Sequence, residues 1–496
     1  MVKRFLLILF ILTSLGFAED DDNGLKVSAW GWYTFGKVVS AFDERANRDL
    51  LSGDNRTPIY DIDFTGEVLS DFAAGMKVAK SYNDYFSMRA HFGVITTFVT
   101  TDPEKPNIEY RAIRVAPFLI DAAFAYTPPM DNDDKLKLEF GYISAVYNPD
   151  AVNLGAYLFR STPYPTVVES GFEKSLVLKP KQPGLHIEHT KMLGDESWLK
   201  SEFYFATQMK YYPNFDFSPS LLFTGNFGGV FELGVGGMYH NLLSVNEDRT
   251  TPGRQELRHD YADRYMYLDP AKKYQDSIWV PDQFGLPGDS IWEKVTRYTD
   301  TTFYTFRGLK LMGRFSFDPK PLMGMDDEDG PFSSADLKIF AEGAILGLKN
   351  YPGWFNDITD RMPIMFGVNL PTFRLLDLLC VQFQYWKNPY WNTWGDMWRF
   401  ESPVPYNGQS NEEDYETWLS ADSMYEKIHD DDIKWSVYMS KSIFEKKLRF
   451  SLQFACDDFM KQGYMPPPPS ARKYTPLTRR SWEDWYVMGR ITYYTF

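Results

Sequence analysis

Charged and amide side chains recur at even spacings along this chain: Arg89 and His91, Lys137 and Glu139, Lys200 and Glu202, Lys338 and Glu342, Gln382 and Gln384, Arg449 and Gln453, with Lys434 in a similar setting. In an extended segment, residues separated by an even number point to the same face. Each group of polar residues therefore faces one side of a strand, while its neighbours face the other. Both charge signs occur on these faces. A water-filled passage solvates such groups and lets them sort small ions and hydrophilic solutes, whereas a dry core does not accept so many unpaired. A second arrangement, salt-bridged ladders filling a plugged interior, uses the same residues.

Bond-making chemistry is poorly represented. The six histidines are His91, His186, His189, His240, His259 and His429, and none lies in a metalloprotease helix motif. His186 and His189 are three apart, so on a strand they point to opposite faces and do not converge on one metal. No nucleophile elbow or phosphate loop is present. The acidic run Asp326, Asp327, Glu328, Asp329 before Gly330 lacks the full spacing of a calcium loop and reads as a solvated turn. The chain is expected to be no enzyme and to need no cofactor and no metal; catalytic groups clustered at a rim would be the exception. Residues 388–431 offer different chemistry, because Tyr390, Trp391, Trp394, Trp398 and Tyr406 stand among carboxylates. Flat aromatic faces beside acids suit sugar rings, which makes these residues candidate carbohydrate contacts. The same rings also suit an interfacial girdle or a packed loop core.

The elements that position these residues follow from period-two patterning. In "KLRFSLQFAC", Leu448, Phe450, Leu452 and Phe454 oppose Lys447, Arg449, Ser451 and Gln453. "KLKLEFGY" and "IKWSVYMS" alternate in the same way. Strands are expected near residues 25–41, 60–80, 84–99, 117–127, 135–146, 183–192, 197–210, 217–227, 229–243, 301–317, 335–349, 361–371, 374–387, 432–442, 447–458 and 481–496. That makes sixteen, an even number. Connections alternate between short and long, with "SYND", "PPMDNDD", "MLGDES", "NFGG", "PTFR" and "SIFEK" in the short series, broken by the longer 318–335, and 147–182, 244–300, 388–431 and 459–480 in the long one, whose members 211–216 and 350–360 are shorter. A soluble sandwich has no reason to segregate loop lengths by end. The pattern predicts an all-β fold: a transmembrane, antiparallel, up-and-down β-barrel of about 16 strands with short periplasmic turns and long extracellular loops. Closure removes the exposed strand edges that hydrocarbon could not satisfy.

The first residues fit this destination. Lys3 and Arg4 precede an apolar run from Phe5 to about Leu15, and Gly16 and Ala18 suit a cleavage site after Ala18. Residues 1–18 are expected to be a secretory signal and 19–496 a single barrel domain, with no linker dividing it. A formal charge of −15 argues against a nucleic-acid surface. Cys380 and Cys456 are expected to be free thiols, because alternation places Cys380 on a polar face and Cys456 on an apolar one.

Through the apparent signal peptide, the sixteen-strand meander and the terminal "YYTF", the chain resembles porin-like outer-membrane β-barrels of Gram-negative bacteria. The resemblance implies a channel for passive diffusion of small hydrophilic solutes or sugars, surrounded by outer-membrane lipid. It also implies that Tyr494 and Phe496 belong to the signal read by the barrel-assembly machinery, and it allows a homo-oligomer. In sixteen-stranded porins the third external loop narrows the channel. Its counterpart here is 147–182, whose charged groups Asp150, Arg160, Glu169, Glu173 and Lys174 become constriction candidates. Asn148, followed by Pro149, is expected to cap a short helix there. The alternative function is a barrel-anchored surface protein that binds polysaccharide or envelope components through its aromatic and acidic loops. Counting back by twos from Phe496 puts Arg490 on the same face as Tyr494. That position faces lipid unless a bulge shifts the register or the side chain snorkels to an interface.

Overall fold

The computed structural model describes residues 25–40, 42–45, 60–63, 68–99, 114–130, 133–162, 165, 168–172, 181–194, 196–207, 216–243, 264–268, 273–280, 291–298, 301–325, 330–351, 355–387, 432–457 and 485–495. The leader region, Glu173, Lys174, Phe496 and the aromatic set between Tyr390 and Tyr406 lie outside the described residues.

Strands β1 (Leu25–Ser40), β4 (Val68–Ser81), β5 (Phe86–Val99), β6 (Arg114–Tyr126), β7 (Lys135–Ser144), β8 (Lys181–Met192), β9 (Trp198–Thr207), β10 (Phe217–Phe227) and β11 (Phe231–His240) form the first part of one sheet. The sheet continues through β16 (Gly308–Phe317), β17 (Ile339–Ile345), β18 (Ile364–Asn369), β19 (Leu378–Tyr385), β20 (Ile433–Ile443), β21 (Leu448–Cys456) and β22 (Trp485–Tyr494). Each strand pairs antiparallel with its neighbours, and β22 returns to pair with β1, with Trp30 opposite Tyr494 and Gly36 opposite Met488. The result is a closed sixteen-strand barrel. Closure joins the two segments that alternation had left as edges, so every barrel strand has two partners.

Two expected strands are divided. The 60–80 segment separates into β3 (Tyr60–Asp63), which pairs with β2 (Phe42–Arg45), and the barrel strand β4. The 301–317 segment separates into β15 (Thr301–Thr305) and β16. β15 pairs with β12 (Arg264–Leu268), and between them β13 (Lys273–Val280) pairs with β14 (Ile291–Tyr298). Extended sequence thus leaves the barrel to form two-stranded ribbons of the long connections. The short connections close tightly, as where Asn83 Oδ1 accepts the backbone N–H groups of Tyr85 at 2.9 Å and Phe86 at 2.8 Å.

Exposure shows which solvent the barrel is built for. Phe140 is 66% exposed while its neighbour Glu139 is 3% exposed. The same inversion repeats around the wall: Leu221, Phe223, Leu233, Val235, Phe366 and Phe383 are exposed, and Glu202, Arg314, Gln382 and Gln453 are buried. A water-soluble protein would lose heavily on both counts, because apolar burial is its main driving force. With hydrocarbon outside and polar groups inside, the same pattern is stabilising, so the fold is a transmembrane barrel.

Arg490 belongs to the inner set. In β22 the residues Tyr486, Met488, Arg490 and Thr492 are buried, and the pairing with β21 runs without a break from Tyr493 to Tyr486. Val487 and Ile491 face outward with no bulge to put them there. Arg490 donates through Nε to Thr34 Oγ1 at 3.0 Å, and its guanidinium lies 5.0 Å from the Trp32 ring and 4.7 Å from that of Phe172. Neither a lipid-facing cost nor snorkelling is needed. Cys380 and Cys456 are both buried, and neither is in a disulfide. Cys456, which alternation had assigned to the apolar face, is as hidden as Cys380 at the end of its strand.

Candidate functional site

One part of the inner wall carries a belt of charges across five consecutive strands. Its centre is Glu139 on β7, whose carboxylate accepts Lys137 Nζ at 2.8 Å, the Arg89 guanidinium from β5, and the ring Nδ1 of His186 from β8 at 3.1 Å. Arg89 also donates through Nε to Asp121 on β6 at 3.0 Å. On β9, Glu202 pairs with Lys200 at 2.9 Å and accepts the Tyr204 hydroxyl at 3.2 Å. Period-two alternation sends each of these side chains inward, and antiparallel registry places Glu139 opposite His186 and Glu188 opposite Glu202. The belt joins Arg89, Lys137, Glu139, Lys200 and Glu202, with His91 at its edge 3.9 Å from Asp121.

Asp121 was missed in the sequence because a bulge hides its parity. Between His91 and Phe92 the β5–β6 register skips Ile120, so Ile120 and Asp121 both turn inward. Ile120 fills the cluster around Trp30 and Trp32, whose rings stack at 4.9 Å, and Asp121 enters the belt. The ring of Trp30 occupies the space left by Gly75 and Gly93, where a Cβ would stand 2.5 Å and 2.7 Å from its Cζ2. Lys310, Arg314 and Glu232 were also passed over, although "GLKLMGRFSF" alternates cleanly. Arg314 pairs with Glu232, and Lys310 is buried.

On the opposite wall, the candidates Glu342, Gln382, Gln384 and Lys338 meet the third long connection. Helix α1 (Tyr157–Arg160) and its flanks pack with Tyr147, Leu154, Tyr157, Leu158 and Phe159 against inward side chains Tyr204, Leu222, Met312, Phe340, Met365 and Cys380. Further along, Phe172 packs on Val38, Tyr486 and Met488 at the closing seam. These contacts place the described part of the connection inside the barrel. Its anchor is Glu342 on β17, whose carboxylate accepts the Tyr147 hydroxyl (2.5 Å), Asn148 Nδ2 (2.5 Å) and the backbone N–H groups of Ala156 (3.0 Å) and Tyr157 (2.9 Å). Burial, reinforced by this carboxylate, pushes both phenols well above the usual range, so they remain donors.

Gln382 Oε1 accepts the N–H groups of Asn153 (2.9 Å) and Leu154 (3.1 Å), and Gln384 Oε1 accepts the Tyr157 hydroxyl at 3.0 Å. Gln453 donates to the Tyr486 hydroxyl at 2.8 Å, which donates to Asp457 at 2.9 Å, and Asp457 accepts Asn153 Nδ2. Lys310 Nζ donates to Ser161 Oγ at 2.6 Å and to the Thr162 carbonyl. Lys338 lies 3.8 Å from Asp150. Arg449 donates to the Tyr438 hydroxyl at 2.8 Å, and Lys434 is buried in β20.

Among the constriction candidates, Arg160 turns back into its own connection and donates to the carbonyls of Asn153 (2.6 Å) and Gly155 (3.2 Å). It is buried, as is Glu169, so neither presents a free charge at the loop surface. The expected helix at Asn148 is absent. Asn148 Oδ1 accepts the N–H of Asp150 (3.2 Å) and Ala151 (3.3 Å) as a cap would, but the chain makes a turn there, and α1 starts later behind Ala156 in the left-handed region. The Asn148 amide is already committed to Glu342. Tyr494 stands exposed at the end of β22.

With sixteen strands closed around a charged interior and the third long connection folded inward, the geometry is complete. The architecture is porin-like. No protein-family model matches the chain, and no curated protein does. Among solved structures, the barrel is similar to OmpF of Salmonella typhi at 9% identity and a TM-score of 0.39, over 96% of this chain and 99% of that one. It is also similar to the outer membrane channel DcaP of Acinetobacter baumannii, at 9% identity and a TM-score of 0.37 over 96% and 99% of the two chains. OprB of Pseudomonas putida shares 8% identity with a TM-score of 0.41, over 95% of this chain and 94% of that one. At this distance the likenesses carry no functional argument, and the porin-like barrel rests on the chain's own strand pairing.

Proposed function

We propose that the protein is an outer-membrane channel for passive diffusion of small hydrophilic solutes, narrowed by the inward-folded connection that begins at Tyr147. The observation that carries this reading is the division of labour on the inner wall. On one side, Lys310 of β16, Glu342 of β17 and Gln382 and Gln384 of β19 hold the connection, and on the other, β5 to β9 display a belt of both charge signs. The connection occupies part of the bore, touching the belt side where Phe159 packs on Tyr204, and solutes pass beside it along the rest of the belt. Outer-membrane lipid surrounds the exposed apolar band, and the β22 terminus with Tyr494 and Phe496 is the proposed handle for the barrel-assembly machinery.

Liposome swelling tests the reading. Vesicles containing the folded protein are expected to swell quickly in a pentose or hexose and progressively more slowly in di- and trisaccharides, because a narrowed aqueous bore selects by size. Absence of swelling in the smallest sugar, with protein shown to be folded and inserted, would overturn it.

A further inference from the structure

Within the belt, three donors converge that the sequence had not associated. His186 and Glu188 lie two apart on β8, and Glu202 stands directly across from Glu188 on β9. One ligand atom from each lies within 4.8 Å of the others. His186 is 5% exposed, and its Nδ1 is taken by Glu139. Its Nε2 has no hydrogen-bond partner, although it lies 3.4 Å from Glu202 Oε1 in ion-pair range. Three ligand atoms, one of them on a buried imidazole, thus converge on one point of the barrel wall.

We propose that His186 Nε2, Glu188 and Glu202 form a binding site for a divalent transition-metal ion on the barrel wall. The supporting groups are already in place. A carboxylate holding Nδ1–H fixes the tautomer that leaves Nε2 free to ligate, the usual arrangement behind a metal-bound histidine. Arg89 and Lys137 both meet the other oxygen of Glu139 and hold that carboxylate in place. The Tyr204 ring stacks on the imidazole at 4.1 Å with planes 9° apart and so fixes its orientation. The two oxygens of Glu202 are divided: Oε2 stays with Lys200 at 2.9 Å, and Oε1 faces Nε2. The 3.4 Å between those two atoms is close to the ~3.4 Å that separates ligands of a tetrahedral ion with bonds of about 2.0–2.1 Å. One imidazole with two carboxylates favours zinc or manganese over calcium, whose ligands are oxygens alone. Glu188, half-buried, makes no hydrogen bond or ion pair among the described residues, so a metal would be its only strong partner.

On the channel reading, a bound ion adds two positive charges to the belt and lowers cation passage. Binding itself does not depend on that reading, and it is measured without any flow of ions. Protein folded in detergent, stripped with a chelator and dialysed, is titrated with zinc chloride by calorimetry. One zinc per chain is expected, with affinity reduced about tenfold or more in Glu188→Gln and further in His186→Ala. Glu188→Gln is the decisive variant because it leaves the rest of the belt untouched, and its folded migration on unheated gels confirms the barrel. Zinc binding unchanged by Glu188→Gln would overturn the assignment, as would no binding to folded wild type. Equal affinity for calcium would overturn the choice of a transition metal.

Discussion

Replacing Glu342 with alanine is expected to raise single-channel conductance about twofold or more and to add open-channel noise, because four donors lose one charged acceptor and each such loss costs about 1–3 kcal/mol when buried. Those donors are Tyr147, Asn148 and the backbone of Ala156 and Tyr157, all on the inward connection. Apolar packing opposes release. Tyr147, Leu154, Tyr157, Leu158 and Phe159 are buried, and at about 1.5–3 kcal/mol each they retain roughly 10 kcal/mol of docking. The two totals are comparable, so the connection loosens and fluctuates rather than leaving the bore. Glu342→Gln, which keeps one carbonyl acceptor, should fall between wild type and alanine. The barrel itself should survive, since Glu342 takes no part in strand pairing beyond its backbone. Unchanged conductance and noise in a folded Glu342→Ala protein would show that the connection does not limit flow.

The second large effect concerns Glu139. Its carboxylate balances Arg89 and Lys137 and holds His186, so Glu139→Gln removes one negative charge from the belt while conserving shape. At about 6 Å in water, a unit charge changes the energy of a passing ion by about 0.7 kcal/mol, which is roughly a threefold change in local ion concentration. Reversal potentials across a potassium chloride gradient should therefore move toward chloride, and the shift should shrink as salt rises because the passage is aqueous and screened. The variant should also unfold at lower denaturant concentration, by about 2 kcal/mol, from loss of charge-assisted hydrogen bonds. An unaltered reversal potential would place the belt off the ion path.

The strands were legible because the period of two is fixed by backbone geometry and recurs wherever a sheet separates two solvents. Barrel closure followed from the same signal, and the observed β1–β22 pairing joins the predicted ends. Parity was legible only where it was unbroken. Asp121 disappeared behind a bulge, and Arg490 was assigned from an assumed outward Phe496 when the inner set in fact includes Tyr486, Met488 and Thr492. The extents of 60–80 and 301–317 were misread because strands of the separate two-stranded ribbons carry the same alternation as strands of the barrel.

What sequence could not separate was wall from clamp. Glu342, Gln382 and Gln384 look like Glu139 and Glu202 in alternation, yet the former meet residues near 150, roughly two hundred positions earlier. Only the folded path of the connection distinguishes them. Likewise, His186 was weighed against His189 because they are neighbours in sequence, whereas its converging partners are Glu188 on the same face and Glu202 across the ladder.

The central claim is a narrowed aqueous passage, and single-channel recording of wild-type protein in planar bilayers tests it most directly. The account predicts stable, discrete conductance steps that rise in proportion to bulk salt conductivity and fall when neutral polymers small enough to enter the bore are added. Folded protein that inserts but gives no ionic steps would contradict it.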